Sequence, residues 1–210
     1  MTAVSGPFGV LALQGGFAAH AAALREVGLE ARELRRVREL EGLAGLVIPG
    51  GESTTLLNLM RDEPWFEALR AFHQSGGVVA GTCAGAILLS RDVRPRQTSL
   101  GLLDAVIERN AYGRQVDSFQ ATVEAPALGG AVEGVFIRAP RFRALFPEVK
   151  VLARHAGEPV LVQQGRVVAG TFHPELTGSR ALHEYLVELA HTRRGVPHPQ
   201  PGRAAHPPAP

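Results

Sequence analysis

The sequence predicts an α/β protein of three layers, with a mostly parallel central sheet and antiparallel additions. From Pro7 to about His191, short apolar runs alternate with stretches of helical hydrophobic period. Glycine-rich turns follow several of these runs, as expected where a buried strand turns sharply into a helix. At 210 residues and 45% hydrophobic composition, the chain is large enough to bury one full core. We therefore expect one folded domain over residues 1–192.

The first half is predicted to contain strand–helix units. The expected strands are short and apolar, and they are Phe8–Leu13, Gly45–Ile48 and Gly77–Ala80. Gln14 to Gly16 is expected to form a turn, followed by a helix from Phe17 that stops near Gly28. Ser53 is predicted to cap a second helix, Pro64 to begin a third, and Ala86–Leu89 to begin a fourth.

The second half has a different pattern. Val106-Ile107, Phe119–Val123 and Val135–Ile137 follow one another without intervening helices, so we expect them to be antiparallel additions to the sheet. The last expected strands are Val149–Ala153, Val160–Gln163 and Val167–Thr171. A final amphipathic helix is marked by Leu182, Leu186 and Leu189. Residues 193–210 hold six of the fifteen prolines and little to bury, which predicts a disordered tail.

Composition excludes several classes of function. Without the three arginines of residues 193–210, 19 basic residues remain against 20 acidic ones, so nucleic acid is not an expected partner. No apolar run approaches the ~18 residues of a membrane span, and the N-terminus lacks a signal-peptide pattern. We therefore expect a cytoplasmic protein without a membrane partner. A single cysteine rules out an internal disulfide framework and a multi-cysteine zinc site.

That cysteine lies in the most informative motif of the sequence. The run GVVAGTCAG predicts a strand, a sharp turn and a helix, with Cys83 at the turn. Small residues are needed there, because a side chain at Gly81 or Gly85 would clash with the strained backbone of the nucleophile. A helix N-terminus also favours the reactive thiolate. A lone cysteine is more often buried filler, but this turn indicates a nucleophile.

A thiolate nucleophile needs a base and a group that orients the base. His173 and Glu175 directly follow the strand that ends at Thr171, and in an extended segment residues i and i+2 project to one side. Pro174 stiffens this pair by restricting the backbone of His173. Taken alone, H-x-E is a weak motif, and a surface turn without function would explain it equally well. Its position at a strand end strengthens the assignment.

The turn Pro49 to Thr54 is a second strand-to-helix turn and is rich in glycine. The backbone N–H of Gly51, together with that of Ala84 just after the cysteine, is expected to form an oxyanion hole. A simple tight turn or an anion-binding helix cap is the alternative. The phosphate-binding pattern G-x-x-x-x-G-K-[ST] is absent, so a P-loop is ruled out.

No metal is expected, because no metal-ligand spacing occurs in the sequence. The remaining histidines have no comparable context. His20, His73, His183 and His191 fall on expected helices, His155 follows a strand, and His198 and His206 lie in the tail. No cofactor is implied.

The elbow G-T-C-A-G with a distant F-H-P-E resembles the class I (triad) glutamine amidotransferases. Longer stretches are similar to one family among them, the glutaminase subunits of pyridoxal 5'-phosphate synthase. These stretches cover most of residues 8–190, and they are GVLALQG, LVIPGGESTT, GRQVDSF, GVFIRAP and TFHPELT. The resemblance implies the three-layer, flavodoxin-like fold of class I glutamine amidotransferases.

The resemblance also implies roles for individual residues. Cys83 would be the nucleophile, His173 the general base and acid, and Glu175 the residue that orients it. The residues matching the family's glutamine-binding positions are Gly51, Glu52, Ser53, Arg109, Ile137 and Arg138. An arginine suits a substrate carboxylate because it can bind two oxygens at once. Which arginine does so is not fixed by the sequence.

The implied reaction is hydrolysis of L-glutamine to glutamate and ammonia. The ammonia would pass to a separate, barrel-shaped synthase subunit within a large hetero-oligomer. Such glutaminases are usually poorly active alone, so we expect docking to activate this one, with a rearrangement of the Gly50–Ser53 turn as the switch. The turn at Gln14 and Gly15 resembles the family's contact region with the synthase.

Three other functions remain open at this stage. A glutaminase serving another acceptor would share the cysteine and histidine motifs but not GRQVDSF or GVFIRAP. A cysteine peptidase or related hydrolase would not require the G-G-E-S turn and would act without a partner. A regulatory subunit would not need Cys83, His173 and Glu175 together, and all three are present.

Overall fold

The computed structural model describes residues 6–111 and 118–192, so most of the GRQVDSF motif and the proline-rich tail lie outside the described residues. Five helices of the described chain are α1 (Phe17–Glu26), α2 (Ser53–Leu59), α3 (Trp65–Gln74), α4 (Ala84–Leu89) and α5 (Ala181–His191). Its twelve strands are β1 (Phe8–Leu11), β2 (Ala31–Leu34), β3 (Gly45–Ile48), β4 (Val78–Thr82), β5 (Ser90–Arg94), β6 (Leu103–Glu108), β7 (Ser118–Ala125), β8 (Gly130–Ile137), β9 (Arg141–Leu145), β10 (Lys150–His155), β11 (Glu158–Gln164) and β12 (Val167–Gly170).

Nine strands form the central sheet, in the order β2-β1-β3-β4-β12-β11-β10-β7-β8. The first five of these are parallel to their neighbours, and the last four are antiparallel additions. The inner parallel strands β1, β3, β4 and β12 are buried along their whole length. This explains why they appear in the sequence as continuous apolar runs rather than alternating ones.

Two hydrophobic clusters cover the two faces of the sheet and give the three layers. Ala21 and Leu24 of α1, with Leu182 and Leu186 of α5, pack on one face. The other face is covered by α2, α3 and α4 through Leu56, Trp65, Leu69 and the apolar residues of α4. Because side chains alternate along a strand, Leu46 and Ile48 belong to the second cluster and Val47 to the first. The predicted α/β architecture is confirmed.

The segment before the long hairpin corrects one expectation. Strands β7 and β8 pair antiparallel at the edge of the large sheet, as predicted. However, the strand containing Val106 and Ile107 does not join that sheet: β6 lies in a separate three-stranded sheet, parallel to β5 and antiparallel to β9. Its buried residues Leu103, Ala105 and Ile107 belong to the hydrophobic cluster beneath α2, α3 and α4. The small sheet is therefore packed on that face of the central sheet.

A second correction concerns the start of α2. Ser53 is the first residue of the helix, and the N-cap is Glu52, whose carboxylate accepts a hydrogen bond from the N–H of Thr55. The longer Glu52 side chain reaches the free N–H groups of the first turn, while the Ser53 hydroxyl is turned away to donate to Gln97 Oε1 at 3.0 Å. In the described part of the chain, no helix is both long enough and apolar enough to span a bilayer.

Candidate active site

The topology brings four turns to one edge of the sheet. Strands β1, β3, β4 and β12 are consecutive and parallel, so their carboxyl ends lie side by side. In an open α/β sheet, a crevice at this edge is the usual place for a ligand. The turns at Gln14, Gly50, Cys83 and His173 follow these four strands and build the candidate site.

Cys83 occupies a strained position at the end of β4. Its backbone has φ 48° and ψ −102°, a left-handed conformation that a residue with a side chain rarely adopts. The two flanking glycines allow it. A Cβ on Gly81 would lie 2.5 Å from the backbone carbon of Gly85, and one on Gly85 would lie 2.0 Å from the carbonyl oxygen of Ile48. The expectation that side chains would clash at both positions is confirmed.

Main-chain hydrogen bonds hold the elbow on both sides. The N–H of Cys83 donates to the carbonyl oxygen of Gly170 on β12 at 2.8 Å, and its own carbonyl accepts from Ile87 in α4 at 3.1 Å. The thiol therefore lies at the start of α4, where the first N–H groups of a helix have no intrahelical acceptor. Ala84 is the first of these residues, and it is fully buried.

His173 and Glu175 interact directly. His173 Nδ1 lies 2.8 Å from Glu175 Oε1, and both residues are buried. The geometry differs from the extended one that was predicted, because Pro174–Leu176 forms a single 3-10 turn with His173 at its N-cap. Pro174 favours this turn at its first position. The two side chains therefore meet across a turn rather than by alternation along a strand.

Gly50 lies between the cysteine and the histidine. A Cβ on Gly50 would lie 2.3 Å from Cε1 of His173 and 3.2 Å from Cβ of Cys83. The side chains of His173 and Cys83 thus border the same small space, and any side chain at position 50 would fill it. Nε2 of His173 is buried without a hydrogen-bond partner in the described chain, and the Cys83 side chain is close enough to the ring to raise its pKa.

The electrostatics of this group favour an ionised pair. Burial acts to lower the pKa of His173, but the side chains of Cys83 and Glu175 outweigh it and raise that pKa to about 10. Burial acts to raise the pKa of Glu175, but its contacts with the side chains of His173 and His20 outweigh burial and bring that pKa well below its ordinary value. At neutral pH the arrangement is a carboxylate that holds a proton-carrying imidazole beside a sulfur atom.

The Gly50 turn is held against the Gln14 turn. Gln14 Oε1 accepts a hydrogen bond from the N–H of Glu52 at 3.0 Å, and the N–H of Gly16 donates to the carbonyl oxygen of Gly50 at 3.3 Å. Gly51 has φ +147°, and a Cβ there would lie 1.9 Å from Gln14 Oε1. A residue with a side chain does not fit at position 51, and this explains the glycine pair in the sequence.

The structure separates the remaining predicted binding residues into two groups. Arg109 lies beside the Gly50 turn, because its Nη2 is 3.4 Å from Glu52 Oε1. Hydrogen bonds from Thr54, Thr55 and the backbone outweigh desolvation and lower the pKa of Glu52 to about 2. The Glu52 carboxylate is thus a fixed anion that joins the helix start to Arg109.

Ile137 and Arg138 lie at the end of the antiparallel strand β8. Ile137 ends β8, and the N–H of His173 donates to the carbonyl oxygen of Val135 on the same strand at 2.8 Å. Arg138 is exposed and has φ +42°, a second strained residue next to the candidate site. This strand therefore lies next to the His173 turn at Val135.

Sequence reasoning missed three residues behind Glu175. His20, Thr82 and His183 are buried and form a polar cluster with that carboxylate. No local sequence pattern surrounds either histidine. They come from α1 and α5, which are far apart in sequence, and only the packing of both helices on one sheet face brings them together. Within the described ranges, no group of three or more His, Cys, Asp or Glu residues is arranged to hold a metal ion.

Comparisons with known proteins place this geometry in a class. A crystal structure of a glutamine amidotransferase superposes on the chain with a TM-score of 0.83 at 50% sequence identity, covering 88% of this chain and 99% of that one. The fold is thus that of the class I glutamine amidotransferases, as the sequence predicted. Residues 10–192 match the model of the SNO glutamine amidotransferase family, and the chain belongs to that family.

Two curated relatives are closely similar and are matched over nearly their whole length. The pyridoxal 5'-phosphate synthase subunit PdxT of one Thermus thermophilus strain is 53% identical over 188 residues, covering 88% of this chain and 98% of the relative. The protein of the same name from a second strain of that species is 50% identical with the same coverage of both chains.

Proposed function

We propose that this chain is the glutaminase subunit of a pyridoxal 5'-phosphate synthase. It hydrolyses L-glutamine to L-glutamate and ammonia, and the ammonia passes to a separate synthase subunit. The observation that supports this most strongly is the contact of Glu175 with His173 beside Cys83, in a chain about half identical to proteins of that name.

In the proposed mechanism the Cys83 thiolate attacks the side-chain amide carbon of glutamine. A tetrahedral intermediate forms, and its oxyanion is bound by the N–H groups of Gly51 and Ala84. His173 gives its Nε2 proton to the leaving nitrogen, so ammonia departs and a thioester remains on Cys83. His173 then takes a proton from a water molecule, which attacks the thioester and releases glutamate and the thiolate.

Glu175 keeps His173 ready for both proton transfers. Its Oε1 holds the Nδ1–H, which leaves Nε2 facing the thiol. The carboxylate stabilises the imidazolium formed when the thiol gives up its proton. This role agrees with the opposite directions of the two pKa shifts, upward for His173 and downward for Glu175.

The substrate's α-carboxylate and α-amino group are assigned to the remaining predicted residues. Gly51, Glu52 and Ser53 line one side, Ile137 and Arg138 the other, and Arg109 is the arginine assigned to the carboxylate. Its contact with Glu52 supports this, because an arginine fixed at the edge of the Gly50 turn can present its remaining N–H groups to an anion.

The partner is proposed to be a barrel-type synthase subunit in a large hetero-oligomer, and cytoplasmic location remains a prediction from the sequence. Docking at the Gln14 turn would reach the oxyanion hole directly, because Gly16 holds the carbonyl oxygen of Gly50 and Gln14 holds the N–H of Glu52, on either side of Gly51. A rotation of that peptide on docking would explain activation. Structures of the free and synthase-bound chain with the same peptide orientation would contradict this switch.

The function is tested by measuring ammonia release from glutamine, first with the purified chain alone and then with the synthase subunit added. We expect strong release only in the mixture. Equal release in both would leave the glutaminase chemistry standing and remove the partner assignment. No release in either would favour another hydrolase, which peptide substrates without a partner would reveal.

A further inference from the structure

A chain of polar contacts continues behind Glu175, away from the reacting atoms. His20 Nε2 lies 3.1 Å from Glu175 Oε2 and also 3.1 Å from Thr82 Oγ1. On the other side of the ring, His20 Nδ1 lies 3.0 Å from His183 Nε2. Thr82 Oγ1 in turn accepts a hydrogen bond from the N–H of Gly50 at 3.0 Å. One imidazole ring thus contacts the carboxylate and, through Thr82, the Gly50 turn.

Burial makes this cluster costly unless it is needed. His20 and Thr82 are each 1% exposed, and His183 is 0% exposed. Polar groups without hydrogen bonds in such surroundings destabilise a fold by roughly 1–3 kcal/mol each. An apolar core would fill the same space between α1, β4 and α5 without that risk. The cluster is therefore a feature that requires an explanation.

The positions of the protons follow from the surroundings. A bare Nε2 on His20 would direct a lone pair at the Glu175 carboxylate, so Nε2 must carry a hydrogen. Nδ1 of His183 is buried without a partner in the described chain, and a proton there would be an unsatisfied donor. Its proton is therefore on Nε2 and is donated to Nδ1 of His20. The Nε2–H of His20 is aligned with Thr82 Oγ1, and Glu175 Oε2 is a second, less well aligned acceptor 3.1 Å from the same nitrogen.

The charges around the cluster favour this arrangement. Burial is the largest of the causes that lower the pKa of His183 to about 3. His183 is therefore neutral, and with one proton it can fix only one tautomer of His20. His20 thus has Glu175, Thr82 and the neutral His183 within hydrogen-bond distance.

We propose that His20 is a positioning residue for the glutaminase reaction: its Nε2–H holds the second oxygen of Glu175, and His183 holds His20 in the required tautomer. With Oε2 held in this way, Oε1 stays directed at Nδ1 of His173. This inference rests on the proposed function only because that function identifies the reaction as glutamine hydrolysis. The positioning of the His173–Cys83 pair is a property of the chain itself.

Two substitutions of His20 each keep one of its two contacts and remove the other. His20→Gln places an amide N–H near the position of Nε2 and keeps the donor to Glu175. His20→Asn places its amide near the position of Nδ1, so it keeps the contact to His183 but does not reach Glu175. His20→Leu removes both contacts, and His73→Gln on α3 is the matched control for changing a helical histidine.

The first measurement is the rate at which iodoacetamide alkylates Cys83 in the free chain. Since Cys83 is the single cysteine of the sequence, the rate reports this thiol alone and needs no turnover of glutamine. We expect His20→Asn and His20→Leu to react about tenfold more slowly at neutral pH, because outer hydrogen-bond partners of a reactive site commonly have effects of about that size. His20→Gln and His73→Gln should react within about threefold of the unchanged chain.

The second measurement is ammonia release with the synthase subunit present. We expect kcat to fall in the same order as the alkylation rate, with KM for glutamine unchanged, because His20 does not touch the substrate. Thermal unfolding midpoints of the Asn and Gln variants should be similar, since each keeps one of the two contacts.

Each outcome decides the proposal. Similar losses for the Asn and Gln variants, following their loss of stability, would mean a structural role only, and unchanged rates in all variants would exclude any role. If the unchanged complex releases no ammonia while the alkylation order holds, the glutaminase assignment fails and the positioning role stands. If ammonia is released but neither rate follows the order, the positioning role fails alone.

Discussion

Gly50 packs directly against the imidazole of His173. A Cβ atom on Gly50 would lie 2.3 Å from Cε1 and 2.8 Å from Nδ1 of that ring, far inside van der Waals contact. The His173 ring therefore occupies the space that a side chain at position 50 would need. The ring can lie between Glu175 and the thiol only because this residue is a glycine.

Substitution of Gly50 should separate catalysis from folding. We expect Gly50→Ala to lower ammonia release with the synthase subunit by about 100-fold or more, because small displacements of a catalytic group have effects of that size. The atoms that this Cβ would meet belong to the side chains of His173 and Cys83 and not to the backbone, so the chain should still fold. Gly178→Ala is the control, since a Cβ there meets nothing within 4 Å. Equal activity of both variants would show that the ring does not need this space.

Replacing the nucleophile should abolish ammonia release. Cys83→Ser keeps the size of the side chain, but a hydroxyl beside an imidazole is a much weaker nucleophile than a thiolate. Binding to the synthase subunit should be unchanged, as measured by size-exclusion chromatography of the mixture. Activity equal to that of the unchanged chain would show that the nucleophile is assigned wrongly.

The pKa shifts predict how stability depends on pH. The folded pKa of His173 is about 10, above its ordinary value of 6.5, so its stabilising contribution is complete below pH 6.5 and is lost as the pH rises toward 10. The folded pKa of Glu175 lies below 4.5, so its contribution is complete above that value and is lost in acid. Urea unfolding should therefore show the largest stability advantage over His173→Gln between pH 4.5 and 6.5. An advantage that does not decline above pH 6.5 would contradict the charged pair.

Arg109 should act on substrate binding rather than on chemistry. We expect Arg109→Gln to raise KM for glutamine about tenfold or more with kcat little changed, since a charge-assisted contact to a carboxylate contributes roughly 1.5–3 kcal/mol. Arg32→Gln is the matched control, because Arg32 also pairs with a glutamate but its side chain is exposed on the edge strand β2. A fall in kcat with unchanged KM would instead assign Arg109 to the turn geometry.

Thr82 should connect stability to the Gly50 turn. Thr82→Val removes the acceptor of the Gly50 N–H and leaves that donor unpaired in a buried place, so we expect a loss of roughly 1–3 kcal/mol in the free energy of unfolding. Thr82→Ser keeps the hydroxyl and should lose less. Equal stabilities of the Val and Ser variants would mean that the Gly50 N–H finds another partner.

The sequence revealed the groups that local patterns mark. The elbow around Cys83 and the H-x-E after a strand are short motifs with a physical reason, and parallel strand ends bring them together at one edge. Polar edge segments such as Ser90–Arg94 and Arg141–Leu145 lack the apolar runs by which the inner strands were recognised, and they were not identified as strands. Because these two segments pair with β6, that strand lies in a separate three-stranded sheet and not in the central one.

Side-chain partners separated by long stretches of chain were not predictable. His20 and His183 are 163 residues apart, and neither has a neighbour in sequence that indicates a shared site. The Glu52 cap was missed for a different reason. Serine is the commoner capping residue, and the choice between adjacent residues depends on where the Ser53 hydroxyl finds a better acceptor.

The close approach of Gly81 to the backbone of Gly85, and of Gly85 to the carbonyl of Ile48, means that main-chain contacts contribute to the position of the nucleophile. We therefore expect exchanges of core side chains for others of similar volume to move the sulfur atom little. The position of the sulfur atom should thus depend little on which apolar residues fill the interior. The hydrophobic core of this domain could thus be redesigned for higher thermal stability with little displacement of the thiol, provided that Gly81 and Gly85 are retained.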